Sequence, residues 1–348
     1  MRKLFLLLLP LLASLQLAAQ NPAPSASRVV VTYLDSKLLR GNPGGENPRR
    51  RVRVYLPAGY DASPQKRYPV VYYLHGFTWN DSLIFNQDGM KVLLDEAIAN
   101  KQIRPFIMVV PNEQTRFGGS WYANSATNGP WADFTARELV QFVDKNFRTL
   151  AKPGSRGLAG HSMGGGGTLR LALQYPGNWA AAYALSPALV GPHPSYLPGP
   201  GLPAALRATA ATLLNHPALS TVAVSRAYSP NPQNPPFGAD LPGSLGADSL
   251  ARRDAALARW VAGTPIYLLP THTASLRQLR GLAFDWGAQD EVTHIPPTCR
   301  VFDQWLSAFT IPHTAQEYQG THGSGVMGRT GRVYQHVLPF FDKLLDFE

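Results

Sequence analysis

Cysteine is almost absent from this chain of 348 residues, with Cys299 standing alone. That excludes any disulfide within the chain and any zinc site built on several thiolates. Charge is also sparse, at 16% Asp, Glu, Lys and Arg, and unbalanced, with 22 acidic against 32 basic residues and a net charge of +10. The basic excess is dispersed: no run exceeds Arg49-Arg50-Arg51, which opens a strand-like stretch and reads as a solvated edge. No nucleic-acid motif accompanies it, so no nucleic-acid partner is expected. Neither H-E-x-x-H nor a close His/Asp cluster occurs, so no metal site is expected, and nothing in the sequence demands a cofactor. Beyond the first residues, no apolar stretch approaches the roughly 20 residues of a membrane span, and no stable membrane insertion is expected.

Apolar and aromatic residues are present in ordinary amounts, at 45% and 10%. A chain of this length buries roughly three quarters of the surface it exposes when unfolded, so a substantial core is available. Met1-Arg2-Lys3 is a short basic start, residues 4–12 are apolar apart from Pro10, and Leu17-Ala18-Ala19 offers small residues before Gln20. This is the layout of a secretory signal peptide over residues 1–19, which predicts export to a periplasm or the medium.

Residues 20–48 are rich in Pro, Ser, Asn and Gly and read as a flexible lead-in, with one strand at 28–33. From 49 to 348 the pattern is that of one domain. Strands are predicted at 51–56, 70–74, 106–110, 156–159, 180–185, 282–286 and 313–318. Helices are predicted at 90–100, 131–147, 163–174, 298–309 and 332–345; Leu139, Phe142, Val143 and Phe147 recur at helical spacing in the second. The alternation implies an α/β fold with a mostly parallel central sheet and helices on both faces. Residues 188–265 break it with repeated prolines from Pro192 to Pro242 and read as a lid-like insertion.

The chemistry concentrates at Gly160-His161-Ser162-Met163-Gly164, a G-x-S-x-G pattern between a predicted strand and a predicted helix. Such a turn is too tight for side chains beside the serine, hence the glycines. A serine hydroxyl needs a base, and the base an orienting carboxylate. Among nine histidines, His322 in Gly320-Thr321-His322-Gly323 follows the last strand, where a loop can carry it over Ser162; His294 is the main competitor. His313 and His336 read as surface or packing residues. Asp290 follows the 282–286 strand through Gly287-Ala288-Gln289, with Glu291 and Asp285 as alternatives for the acid. Backbone donors for an oxyanion are expected from the Met163 amide and from Phe77, which Gly76 presents at the end of the 70–74 strand. His75 reads as a loop brace, and Cys299 as buried packing. Phe77, Trp79, Phe117, Trp121, Tyr122 and Trp131 crowd the predicted mouth. Of these, Trp79, Trp121, Tyr122 and Trp131 are expected to stack on a sugar or an aromatic acyl group.

Tyr-Leu-His-Gly at 73–76, Gly-Ser-Trp-Tyr-Ala-Asn-Ser at 119–125, Gly-His-Ser-Met-Gly-Gly at 160–165, Gly-Ala-Gln-Asp at 287–290 and Gly-Thr-His-Gly at 320–323 form one ordered set. Together they resemble the esterase D / antigen 85-like family of α/β-hydrolases, over about residues 50–345. That family includes S-formylglutathione hydrolases, feruloyl and acetyl-xylan esterases, siderophore esterases and mycolyltransferases. The resemblance implies the α/β-hydrolase fold, with Ser162 as nucleophile, His322 as base, Asp290 as acid, and Phe77 with Met163 as oxyanion donors. Ser229-Pro230-Asn231-Pro232 and the signal-like start are similar to secreted feruloyl-esterase-like members. The expected activity is therefore serine carboxylic ester hydrolysis through an acyl-enzyme, on a small-molecule or carbohydrate ester. Acyl transfer to a sugar or alcohol is the alternative within the same chemistry, and a non-catalytic binding protein that keeps the fold is the alternative outside it.

Overall fold

The computed structural model describes residues 26–196, 218–242 and 249–348, the last with side chains from residue 251 onward. The expected signal peptide at 1–19 lies outside the described residues, as does part of the 188–265 insertion.

Among the described residues there are ten strands: β1 (Arg28–Asp35), β2 (Arg49–Leu56), β3 (Val70–Leu74), β4 (Ile107–Pro111), β5 (Asn124–Ser125), β6 (Gly129–Pro130), β7 (Arg156–His161), β8 (Ala181–Leu185), β9 (Gly281–Gly287) and β10 (Thr314–Tyr318). Eight of them form one sheet in the order β1-β2-β4-β3-β7-β8-β9-β10, and β5 with β6 makes a small hairpin. Only the β1–β2 and β2–β4 pairs are antiparallel; every other pair in the large sheet is parallel. The central strands β3, β4 and β8 are buried at every residue, which explains their unbroken apolar runs. Successive side chains alternate between faces: Val70, Tyr72 and Leu74 join one apolar cluster, Val71 and Tyr73 the other.

The strand expected at 28–33 in the lead-in is present, runs on to Asp35 and forms an edge strand in full register with β2. The following loop is anchored by the buried Leu39 and Glu46. The helix Ile295–Ala308 starts three residues earlier than its apolar spacing suggests, because Pro296 and Pro297 sit in its first turn, where a missing N–H is tolerated. The expected 131–147 helix runs from Trp131 to Asn146 with a π-helical turn at Phe134–Glu138. Apart from the helices Ala218–Tyr228 and Ser249–Ala262 within the insertion, two described helices were not legible. Asp81–Asn86 depends on an Asn80 cap that accepts the Ser82 and Leu83 amides, and Pro265–Leu276 contains Pro270. The described part of the insertion packs on the body: Arg226 is buried, donates to the Phe237 and Gly44 carbonyls, and its own carbonyl accepts from Ser125 Oγ. No helix among the described residues is long and apolar enough to cross a membrane.

For the site, what matters is where the parallel strands end. Leu74 of β3 pairs with Gly160 of β7, His161 with Leu185 of β8, Leu185 with Asp285 of β9, and Gly287 with Tyr318 of β10. The loops after these strands therefore leave the same edge side by side, the usual location of a site in parallel sheets.

Candidate active site

Ser162 caps the buried helix Met163–Gln174 with φ 59° and ψ −117°, a backbone state that L residues rarely adopt and that costs about 1–3 kcal/mol. Its amide donates to the Leu185 carbonyl at 2.9 Å, and its carbonyl accepts the Gly166 and Ala188 amides at 3.0 Å. The surrounding structure thus over-determines the strained turn and pushes the side chain out of the sheet edge. Gly164 is obligatory here: a Cβ on it would run into the Leu74 carbonyl of β3.

Ser162 Oγ lies 2.8 Å from His322 Nε2, and His322 Nδ1 lies 2.8 Å from Asp290 Oδ2. The Asp290 carboxylate is fully buried, and its other oxygen accepts the Val292 amide at 2.8 Å. With the Nδ1 proton directed at Asp290, Nε2 is left as the acceptor for the serine hydroxyl. The loops carrying Asp290 and His322 are zipped together. Ala288 N–H donates to the Tyr318 carbonyl, Gln289 N–H to the Gly320 carbonyl, and Gly320 N–H to the Gln289 side chain, at 2.8 to 2.9 Å.

The competitors are engaged elsewhere. His294 Nε2 accepts the Leu189 amide at 3.2 Å, and burial pushes its pKa down to about 4. Asp285 is buried in β9 and accepts Tyr183 Oη at 2.7 Å and Arg332 Nε at 2.8 Å; burial pushes its pKa up to about 6. His313 lies against Asp303 at 2.8 Å. Glu291, the third acid considered, directs its carboxylate to backbone, accepting the His322 amide at 2.9 Å. That bond holds its pKa below the ordinary value.

The amides of Phe77 and Met163 have no acceptor among the described residues. Met163 opens a helix, where amides lack an intrahelical partner. The turn bearing Phe77 is braced from behind by His75, which is fully buried and neutral, its pKa pushed down to about 4 by burial. His75 Nε2 accepts the Glu113 amide at 2.9 Å, and Tyr122 Oη donates to the His75 carbonyl at 2.9 Å.

A cavity of about 370 Å³ opens beside Ser162 and His322, walled by Phe77, Trp79, Ile84 and Met327, with Asp88 and Glu291 also at its surface. Trp79 Nε1–H donates to Asp88 Oδ2 at 2.9 Å, and partial burial raises the Asp88 pKa. Of the four aromatic residues expected to meet substrate, only Trp79 reaches this cavity. Trp121 sits behind Phe77, stacked at 5.7 Å. Tyr122 and Trp131 are fully buried, their polar tips spent on the His75 and Asn128 carbonyls. Composition could not separate these rings, since wall and core both take large aromatics. His161 was also missed: its Nε2 lies 2.9 Å from the His322 carbonyl. Both it and Glu291 adjoin a predicted site residue in sequence, but their partners lie 161 and 31 positions away.

A family model described as "Putative esterase" matches residues 46–325. Over 145 residues the chain is 38% identical to an esterase of Mycobacterium tuberculosis, a match covering 40% of this chain and 28% of that protein. Over 136 residues it is 36% identical to an endo-1,4-beta-xylanase/feruloyl esterase of Xylanibacter ruminicola, covering 36% of this chain and 18% of that protein. The matched region is thus less than a third of either relative. Among solved structures, a ferulic acid esterase superposes with a TM-score of 0.62 at 20% identity, covering 92% of this chain and 100% of that one. An S-formylglutathione hydrolase from Staphylococcus aureus superposes with a TM-score of 0.59 at 18% identity, with the same coverage. Both are likenesses of fold, and the fold is that of the α/β-hydrolases.

Proposed function

The chain belongs to the esterase family whose model spans residues 46–325, and from that premise we propose that it is an exported serine carboxylic ester hydrolase working through an acyl-enzyme on Ser162. The observation that carries the reading is the unbroken chain Ser162 Oγ–His322–Asp290, with 2.8 Å at each link, at the mouth of an apolar cavity. His322 takes the serine proton as Oγ attacks the ester carbonyl, and Asp290 holds the imidazole tautomer and stabilises the cation that forms. The uncommitted Phe77 and Met163 amides receive the oxyanion, where preorganised donors are worth about 3–4 kcal/mol each. His322 then protonates the leaving alcohol, and water, activated by the same imidazole, releases the acid.

For the acyl group, the Phe77 and Trp79 rings favour a flat or aromatic moiety, and the relatives whose names include feruloyl esterase support feruloyl esters of carbohydrates. Export is supported by the signal-like residues 1–19.

The test is hydrolysis of p-nitrophenyl acetate and butyrate and of a feruloyl ester by the protein and by Ser162→Ala. Activity abolished in a folded Ser162→Ala, with preference for the feruloyl ester, is the expected result. Activity unchanged in that variant refutes the nucleophile. Equal turnover of all three esters removes the aromatic acyl assignment. Acyl-glycerol formed in place of free acid under excess glycerol reassigns the activity to acyl transfer.

A further inference from the structure

His322 stands in an irregular loop between Gly320 and Gly323, and neither glycine stiffens it. The position of the imidazole Nε2 therefore depends in part on how the backbone of this residue is held. Both of its backbone polar groups are tied by side chains. Its N–H donates to Glu291 Oε2 at 2.9 Å, and its carbonyl faces His161 Nε2 at 2.9 Å. His161 is neutral, because burial pushes its pKa down to about 4. A ring nitrogen facing a carbonyl must carry the proton, so His161 is the donor. Its ring also lies against the His322 ring, with centroids 4.8 Å apart.

The two partners are not arbitrary positions. Glu291 follows Asp290, and His161 precedes Ser162. We infer that His161 and Glu291 are positioning residues, each tying the backbone of His322 to the segment that carries one of the other two members of the triad. The inference rests on the triad reading above. Beside the Gln289–Gly320 bonds that join the two loops, these two contacts act on the backbone of His322 itself, so a shift of that residue must break a hydrogen bond to the Ser162 segment or to the Asp290 segment. Neither side chain hydrogen-bonds Ser162 Oγ or a ring nitrogen of His322; both bond its backbone. The effect expected on removing one is a misplaced base, not a lost charge at the ester.

The experiment compares Glu291→Ala, Glu291→Gln, His161→Leu, His161→Gln and Ser162→Ala with the parent full-length protein on p-nitrophenyl butyrate, with folding checked by circular dichroism. His322 serves both acylation and deacylation, so loosening it slows both steps together. Glu291→Ala and His161→Leu are each expected to lower kcat between about tenfold and a hundredfold with KM within about twofold. The glutamine variants restore most of the rate. In Glu291→Gln the amide oxygen still accepts the His322 N–H, and in His161→Gln the side-chain amide nitrogen reaches the place of the imidazole Nε2. Unchanged kcat in Glu291→Ala overturns the inference, as does a raised KM at constant kcat, or a folded glutamine variant no better than its alanine or leucine counterpart. Glu291 is exposed, so its variants remain informative even if His161→Leu fails to fold. Activity surviving in Ser162→Ala sinks the triad itself. An inactive Ser162→Ala beside a fully active Glu291→Ala sinks only the tie.

Discussion

Replacing Glu113 by glutamine removes a fully buried carboxyl from behind the oxyanion loop. Glu113 Oε2 accepts Ser120 Oγ–H at 2.7 Å, and Oε1 contacts Thr135 Oγ1, which also lies 2.8 Å from the Trp131 carbonyl. A threonine hydroxyl has one proton and cannot donate to both. All contacts are satisfied when Glu113 is protonated and donates to Thr135, leaving the Thr135 proton for the Trp131 carbonyl. Burial pushes the same way, raising the pKa to about 8 from an ordinary 4.5 against the opposing hydroxyls and Arg50. The native state thus holds, between pH 4.5 and 8, a proton that the unfolded chain has released. Stability falls as pH rises through that window, by up to about 1.4 kcal/mol per pH unit and about 4–5 kcal/mol in all as a ceiling. The amide introduced by Glu113→Gln donates to Thr135 and accepts from Ser120 without titrating. Glu113→Gln should therefore match the parent near pH 5 and exceed it by several kcal/mol at pH 8. Urea unfolding at pH 5, 6, 7 and 8 measures this, and other titrating groups cancel in the difference between the two proteins. A stability difference that does not change with pH would refute the protonated Glu113 and the hydrogen-bond count behind it.

Asp290→Asn should lower kcat by about 10⁴ at unchanged fold, because an amide no longer enforces the Nδ1–H tautomer; p-nitrophenyl butyrate turnover checks it. In Gly164→Ala the new methyl meets the Leu74 carbonyl of β3, and the expected cost is about 1–3 kcal/mol or more in urea unfolding, with loss of activity. Arg332→Met leaves Asp285 buried without its cation, so stability at pH 7 should drop by about 3–5 kcal/mol; an unaltered melting temperature would contradict that. Trp79→Leu removes a ring from the cavity wall and the donor to Asp88. KM should rise for aryl-acyl esters and stay level for acetyl esters.

What could be read in advance was local or ordered along the chain. Buried runs such as 70–74 and the helix 163–174 matched the structure because each is dictated by neighbours a few positions apart. The strand expected at 28–33 was likewise found, but the capped helix Asp81–Asn86 was missed because helix caps share their composition with loops. Ser162 could be singled out because a strained strand–turn–helix leaves its mark in glycines. Asp290 and His322 could be named because strand ends in a parallel sheet share one edge, so order along the chain becomes adjacency in space.

Other features had no local signature. Trp121, Tyr122 and Trp131 read like Trp79, yet they lie in the interior, since whether a ring walls a cavity or fills a core depends on what packs over it. Glu113 is pushed towards its protonated form by burial among His75, Ser120 and Thr135, which come from three separate segments. His161 and Glu291 grip His322 across 161 and 31 residues. Those separations close only when the sheet has assembled. Residue types and their order determined which groups this chain brings to the edge of the sheet where Ser162 lies; their protonation, their burial and the hydrogen bonds that hold them were decided by the tertiary structure, because desolvation and contact are properties of neighbours distant in sequence.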